Sequence, residues 1–162
     1  MFILEKDFTK ENPRAFPQVD FRYQEYRAYL DSIANNLPVA AREFALADWR
    51  LNPNDHKCPH DSWVEYLKLF ESASGERREN RLLQIEVRLL GAYHDGYLDL
   101  SYKNVRNYSF VTLNPQQNHG DWLWDEIRLS ENSFVLHEIE FRNGAEWLIE
   151  CEDVGFEWNP IK

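Results

Sequence analysis

The sequence contains no long hydrophobic run. No apolar stretch approaches the ~20 residues that a membrane-spanning helix needs. The apolar start, Met1 to Leu4, is broken at once by Glu5, Lys6 and Asp7, which is not the pattern of a secretory signal peptide. We therefore expect a cytoplasmic protein that does not interact with membranes.

Cysteine and glycine are also scarce. The 162 residues include 2 Cys, 6 Gly and 7 Pro. Cys58 and Cys151 lie too far apart to suggest the disulfide framework of a small secreted domain, so we expect free thiols. A content of 43% hydrophobic and 15% aromatic residues excludes a largely disordered chain. A chain of this length buries roughly 68–70% of its unfolded surface, and we expect one domain over residues 1–162.

Positive charge is in deficit, and the deficit is local. The chain has 18 Lys and Arg against 28 Asp and Glu, for a net charge of −10. Residues 121–157 hold eleven acidic and two basic residues, so this segment carries −9 of the total. Because phosphate backbones are bound by Lys and Arg, the balance argues against nucleic-acid binding. It favours a basic protein partner.

The coarse organisation is an N-terminal arm with helices over residues 1–50, followed by a sheet region over 62–157. The arm, residues 1–19, is expected to be irregular, with a short strand at residues 2–4. Apolar residues after Asp20 recur at spacings of three and four to about Asn36, which predicts an amphipathic helix. Pro38 fits the first turn of a second, shorter helix.

After residue 62 the apolar period changes from about 3.6 to 2, which is typical of strands. The clearest strand is Leu83 to Leu89, where Leu, Ile and Val alternate with polar residues. Further strands are expected near residues 63–70, 97–102, 108–113, 122–129, 134–141 and 146–153. The short connections predict an antiparallel meander. We therefore expect an α+β fold in which two N-terminal helices pack on one sheet of about six strands.

The hairpin around Asn143 and Gly144 has two alternative registers. A two-residue loop would place acidic residues on both faces of the ribbon. A three-residue loop, with Gly144 at positive φ, separates apolar from acidic residues. Burying an unpaired carboxylate costs several kcal/mol, so we predict the three-residue loop. It places five acidic residues on one face: Glu138, Glu140, Glu146, Glu150 and Glu152.

Two tryptophans precede this hairpin. Simple alternation puts Trp122 and Trp124 on the same side of one strand. Two placements remain open: a partly exposed pair beside the acidic residues, suited to a protein interface, or a pair covered by the helices. His137 lies among apolar residues and is interpreted as a hydrogen-bonded core histidine.

The densest group of reactive side chains is the loop Asp55 to Asp61. His56, Cys58 and His60 are all zinc-ligand types, but their spacing matches no paired-knuckle signature. A satisfied polar loop is the alternative interpretation. Cys58 activated by a neighbouring histidine is a second enzymatic interpretation, although no third, orienting group is evident. Nucleotide-binding and hydrolase motifs are absent.

The leading hypothesis is a non-enzymatic, cytoplasmic interaction module whose acidic sheet face binds a basic protein. In size and charge the chain resembles the small acidic bacterial immunity proteins that neutralise toxins, although it carries no motif of such a family. The alternative is a metal-binding protein or metal-assisted enzyme that uses His56, Cys58 and His60. Self-association through an exposed strand edge or the Trp pair is a third interpretation.

Overall fold

The computed structural model describes residues 3–4, 16–112 and 118–162. It contains two α-helices, α1 (Phe16–Ile33) and α2 (Val39–Leu46), with 3₁₀ turns at Ala34–Asn36 and Asp48–Leu51. Pro38 has φ −56° and is the N-cap of α2, one residue before the first turn in which the sequence predicts it. The helix α1 begins at Phe16, within the arm that the sequence predicts to be irregular up to residue 19, and residues 3–4 do not form the predicted strand. Residues 1–2 and 5–15 of the predicted arm lie outside the described residues.

Eight antiparallel strands form two four-stranded sheets. The strands are β1 (Trp63–Ser74), β2 (Asn80–Leu90), β3 (Gly96–Lys103), β4 (Asn107–Val111), β5 (Trp122–Leu129), β6 (Val135–Phe141), β7 (Glu146–Cys151) and β8 (Asp153–Pro160). Sheet A has the order β1-β2-β3-β8, and sheet B has the order β4-β7-β6-β5. The α+β class is confirmed, but the prediction of about six strands in one meander is wrong.

The chain changes sheets at two neighbouring points. It leaves sheet A after β3 and returns to it at β8. The two passages are joined by hydrogen bonds from Glu152 N to Lys103 O at 3.0 Å and from Asn104 Nδ2 to Glu152 Oε2 at 2.7 Å. Asn104 has φ 49° there, a left-handed conformation that Asn tolerates. This second crossing was missed because Cys151–Asp153 contains neither Gly nor Pro.

The inner faces of both sheets contribute to one cluster of buried residues. From sheet A it includes Ile85, Val87 and Leu100, and from sheet B it includes Ile139 and Ile149. Tyr102 of sheet A contacts His137 of sheet B through a hydrogen bond of 2.9 Å. The core therefore lies between the sheets; the single-domain organisation over residues 1–162 stays a prediction.

The helices cover one edge strand of each sheet. The Tyr26 hydroxyl on α1 accepts a hydrogen bond from Ile127 N and donates one to Ile127 O at 3.1 Å, on β5. Tyr29 accepts from Leu129 N at 3.4 Å. On the other sheet, Asp153 of β8 accepts from Ala41 N of α2 at 2.9 Å. On β5, backbone groups that an edge strand would leave unpaired are thus satisfied by α1, whereas on β8 the Asp153 side chain satisfies an N–H group in the first turn of α2.

Candidate functional site

The hairpin between β6 and β7 adopts the predicted three-residue loop. Gly144 has φ 82°, a left-handed conformation that glycine adopts without a Cβ penalty. Gly144 N donates to Phe141 O at 2.8 Å, and Phe141 N donates to Ala145 O at 2.9 Å. The resulting register pairs Ile139 with Trp147 and Glu140 with Glu146, so the separation of apolar from acidic side chains is confirmed.

The registers of sheet B define its outer face as a grid of three rows. Across β5, β6, β7 and β4, the rows are Trp124–Glu140–Glu146–Val111, Glu126–Glu138–Leu148–Ser109 and Arg128–Leu136–Glu150–Asn107. We call its five carboxylate positions the acidic face: Glu126, Glu138, Glu140, Glu146 and Glu150. Arg128 is the one basic residue in the grid. The excess of carboxylates is unfavourable because like charges directly opposite each other on neighbouring strands are destabilising.

At least two of these five glutamates are compensated within the chain. Glu138 accepts from Arg128 Nε at 2.9 Å and from Nη2 at 2.7 Å. Glu126 is fully buried and accepts from the backbone N–H groups of Ile3 and Leu4. Glu146 and Glu150 make no side-chain hydrogen bond or ion pair with any described residue. The uncompensated charge therefore lies mainly on β7.

A shallow groove of about 170 Å³ crosses this face. Its lining includes Glu138, Glu140 and Glu146, with Leu148 and Val111 as apolar members. An apolar floor beside carboxylates matches the chemistry of Lys and Arg, whose long alkyl stems pack on apolar surface while their charged ends stay solvated.

Glu152 does not belong to the acidic face, contrary to the prediction. It follows the last residue of β7, at the point where the chain passes to sheet A. Its side chain accepts from Asn104 instead. The alternation of β7 could not be extended to this position because the strand ends at Cys151.

The predicted pairing of Trp122 and Trp124 on one side is wrong. A register shift between them makes Leu123 an extra residue: Trp122 lies opposite Phe141, whereas Trp124 lies opposite Glu140. A bulge of this kind turns the next side chain to the other face. Trp122 is therefore fully buried and unavailable to a partner. Trp124 is half-buried at the border of the acidic face.

His56, Cys58 and His60 do not converge. His56 Nδ1 pairs with Asp95 and its ring stacks on Tyr93 with centroids 4.1 Å apart. No group of three or more His, Cys, Asp or Glu side chains suited to a metal ion exists in the described part of the chain. The geometry therefore does not support the metal-site prediction, and the satisfied polar loop describes this segment better.

The other two side chains of the loop are also occupied. Cys58 is buried, and its Sγ donates to Arg50 O at 3.1 Å. Burial raises the pKa of its thiol to about 12, so the sulfur is protonated at neutral pH and is unsuited to nucleophilic attack. His60 contacts Leu123 O through Nδ1 at 2.8 Å and stacks on Trp124 at 5.0 Å.

Sequence reasoning missed a buried polar network centred on Asp125. Arg50 Nε donates to Asp125 Oδ2 at 3.0 Å, and the guanidinium also contacts the Tyr26 hydroxyl. Asp125 also accepts from Trp122 Nε1 at 3.2 Å and from His137 Nε2 at 2.9 Å. All five side chains are at most 4% exposed. An acidic residue within an apolar strand was the signal available in the sequence, but nothing identified Arg50 as its partner.

Protonation within the network follows from its geometry. Burial alone would raise the pKa of Asp125, but the Arg50 guanidinium and the His137 donor hold it well below its usual range. The ionised carboxylate accepts hydrogen bonds only, so Nε2 of His137 carries the proton. Nδ1 then accepts from the Tyr102 hydroxyl at 2.9 Å. His137 is therefore neutral, and burial lowers its pKa.

The network has no room for a substrate. The adjoining cavity, lined by Arg50, Trp122 and Asp125 among others, measures about 10 Å³, which is no more than one water molecule requires. Because α1, the turn after α2 and sheet B each contribute a member, and Tyr102 of sheet A is hydrogen-bonded to His137, the network fixes their relative positions. We interpret it as structural.

We expect the free energy of unfolding to decrease as the pH falls from about 7 to about 5. The unfolded chain protonates His137 near its ordinary pKa of about 6.5, whereas the folded chain resists protonation until the lower folded pKa is reached. One such group contributes a slope of up to about 1.4 kcal/mol per pH unit. Urea titrations monitored by Trp fluorescence measure it.

The matched variants for this prediction are His137→Gln and His119→Gln, since partial burial also lowers the pKa of His119. His137→Gln should flatten the pH dependence more than His119→Gln does. Equal slopes in wild type and His137→Gln would contradict the assignment. A second decrease in the free energy of unfolding is expected below about pH 4. The pKa of Asp125 is lower in the folded protein than in the unfolded chain. The stabilisation that this difference provides is present above the unfolded pKa and is lost as the pH falls towards the folded pKa.

No family model and no curated protein matches this sequence. Among the described residues, no helix combines the length and apolarity needed to cross a membrane.

Proposed function

We propose that this protein is a non-enzymatic interaction module that binds a basic protein through its acidic face. The observation that carries the proposal is the register of sheet B, which gathers five glutamates and one arginine on twelve neighbouring positions. Glu140 lies directly opposite Glu146, whereas Glu126 is buried and Glu138 is paired with Arg128. Such opposed carboxylates repel each other, and cations from a partner would relieve the repulsion.

The groove supports a partner that is a protein. It is shallow and about 170 Å³ in volume, below the roughly 300–1,000 Å³ of common small-molecule pockets. Leu148, Val111 and the half-buried Trp124 provide apolar surface beside the carboxylates. Trp is enriched at the energetically dominant positions of interfaces. Resemblance to immunity proteins remains a matter of size and charge, and it forms part of this proposal only in that sense.

We place the protein in a reducing compartment, the cytoplasm, as part of the same proposal. Cys58 and Cys151 are free and buried, and burial raises the pKa of both thiols to about 12. Free cysteines are typical of compartments where thiols stay reduced. The acidic face also disfavours a phosphate backbone as ligand.

The test compares two triple variants with the same change of charge. The face variant carries Glu140→Lys, Glu146→Lys and Glu150→Lys. The control carries Asp31→Lys, Glu76→Lys and Glu157→Lys, on exposed positions of α1, the turn between β1 and β2, and β8. Each immobilised protein is used to capture basic proteins from a cell lysate, and Kd values are then measured for those identified.

We expect wild type and control to bind the same basic proteins, and the face variant to lose affinity by at least about tenfold, since close interfacial charge pairs are worth about 1.5 kcal/mol or more. Affinity of the wild type should fall as salt rises from roughly 50 to 200 mM. Circular dichroism establishes that all three proteins are folded. Unchanged capture by the face variant, or equal losses in both variants, would refute the proposal.

A further inference from the structure

The outer edge of β1 differs from the other sheet edges. β5 and β8 are covered by the helices, and β4 has 5 residues. β1 has 12 residues, about twice the usual length of a strand, and no described residue pairs with its outer side. Seven of its residues are exposed: Trp63, Glu65, Tyr66, Lys68, Leu69, Glu71 and Ser74. A long edge of this kind is a template for another strand.

Apolar side chains are concentrated along this edge. Trp63, Tyr66 and Leu69 are 49%, 39% and 41% exposed, and Leu82 on the neighbouring strand is 43% exposed. The ladder between β2 and β3 ends where Ile85 pairs with Tyr102. Residues 80–84 of β2, and the residues of β1 that pair with them, therefore have no strand partner on the β3 side. Two-stranded ribbons are marginally stable in water, so a further strand would stabilise this part of sheet A.

The sequence of β1 fits a second copy of itself. A register shift between Val64 and Tyr66 interrupts its first part and leaves nine regular residues, 66–74. An antiparallel twofold arrangement uses all nine when its axis passes through the middle residue, Phe70. Axes at Lys68 or Glu71 would oppose like charges, which is destabilising, and an axis at Leu69 would pair fewer residues.

We propose that two copies of this protein associate through antiparallel pairing of β1 centred on Phe70. The pairing places Phe70 opposite Phe70 of the second copy, an aromatic pair that strands favour. It also places Lys68 opposite Ser72 and Tyr66 opposite Ser74, with no like charges directly opposed. Sheet A of one copy and sheet A of the other then form a single sheet of eight strands. The acidic face of each copy lies on sheet B and is not covered by this pairing.

The test is disulfide formation at the axis. Residues directly opposite in an antiparallel pair have Cα atoms about 4.5–5.5 Å apart, within the range of about 4.4–6.8 Å that a disulfide needs. Phe70→Cys should therefore form a covalent dimer under mild oxidation. Wild-type light scattering at about 100 µM should give the mass of two chains, since typical specific complexes have Kd values below that.

The controls use the same geometry. In the proposed dimer, residue 68 of one chain and residue 68 of the other are offset by about four residues along the strand, or roughly 13 Å, and the same offset separates the two copies of residue 72. Neither Lys68→Cys nor Ser72→Cys should therefore crosslink alone. Mixed together, they should crosslink to each other. The native Cys58 and Cys151 are buried. A monomeric wild type, or crosslinking of Phe70→Cys that is no faster than that of Lys68→Cys alone, would overturn the proposal. Either result is also expected if β1 pairs with a strand of another protein instead of with a second copy.

Discussion

Replacing Asp125 with asparagine is expected to reduce the free energy of unfolding by about 3–5 kcal/mol, which is the usual effect of removing one partner of a buried ion pair. Arg50 is 1% exposed and donates to Asp125 through Nε and Nη2. Without the carboxylate, a guanidinium stays buried with no counter-charge. The amide that replaces it also presents N–H donors to a group that has only donors. Urea denaturation measures the loss.

The outer face of sheet A supplies the matched control. Arg88 and Asp99 form a similar two-point ion pair at 2.7 and 2.8 Å, but their side chains are 33% and 23% exposed. Asp99→Asn should therefore cost much less stability than Asp125→Asn, because solvent screens the exposed pair. Adding Arg50→Met to Asp125→Asn should restore part of the stability, because no unpaired charge is then buried. Equal losses for Asp125→Asn and Asp99→Asn would contradict the structural role of the network.

Trp122→Ala should destabilise the protein by about 3–5 kcal/mol, as do other truncations of large buried aromatic residues. Its indole is fully buried and contacts the rings of His137 and Phe141. Its Nε1 also donates to Asp125. The variant therefore loses packing and one hydrogen bond of the buried network together. Thermal and urea unfolding both measure the change.

Trp124→Ala is the comparison for this variant. Trp124 is half-buried and makes ring contacts with His60 and Tyr23, so its removal should cost distinctly less stability than removal of Trp122. In the binding experiment, Trp124→Ala should weaken capture of a basic partner. A larger loss of stability for Trp124→Ala than for Trp122→Ala would mean that the bulge at Leu123 is misplaced.

The hairpin at Gly144 shows what the sequence could predict. The two registers differ by a large free energy, because the two-residue loop would bury carboxylates and the three-residue loop does not. Local sequence and burial therefore agreed on one answer. Strands 122–129 and 134–141 were placed to within a residue because each is an apolar-rich run bounded by turn residues.

The features that were missed depend on tertiary contacts. Val154, Phe156 and Trp158 of β8 alternate clearly, but no Gly or Pro separates them from β7, so a single strand was predicted over residues 146–153 and β8 was not predicted. The bulge at Leu123 places Trp122 and Trp124 on opposite faces of the sheet, and no Gly or Pro within the strand indicates the bulge. Arg50 and Asp125 are 75 residues apart, and no local pattern connects them. The reactive residue types at 56, 58 and 60 were misleading because each one has its own distant partner.

The place of β8 in sheet A has a consequence for how the molecule folds. β3 and β8 pair over eight residues, and the chain between them forms all of sheet B. Their pairing closes a long loop, whose entropic cost falls once the intervening strands have formed. During synthesis, sheet A stays one strand short until sheet B has been made. The return of the chain at Asp153 is therefore the last step in completing sheet A.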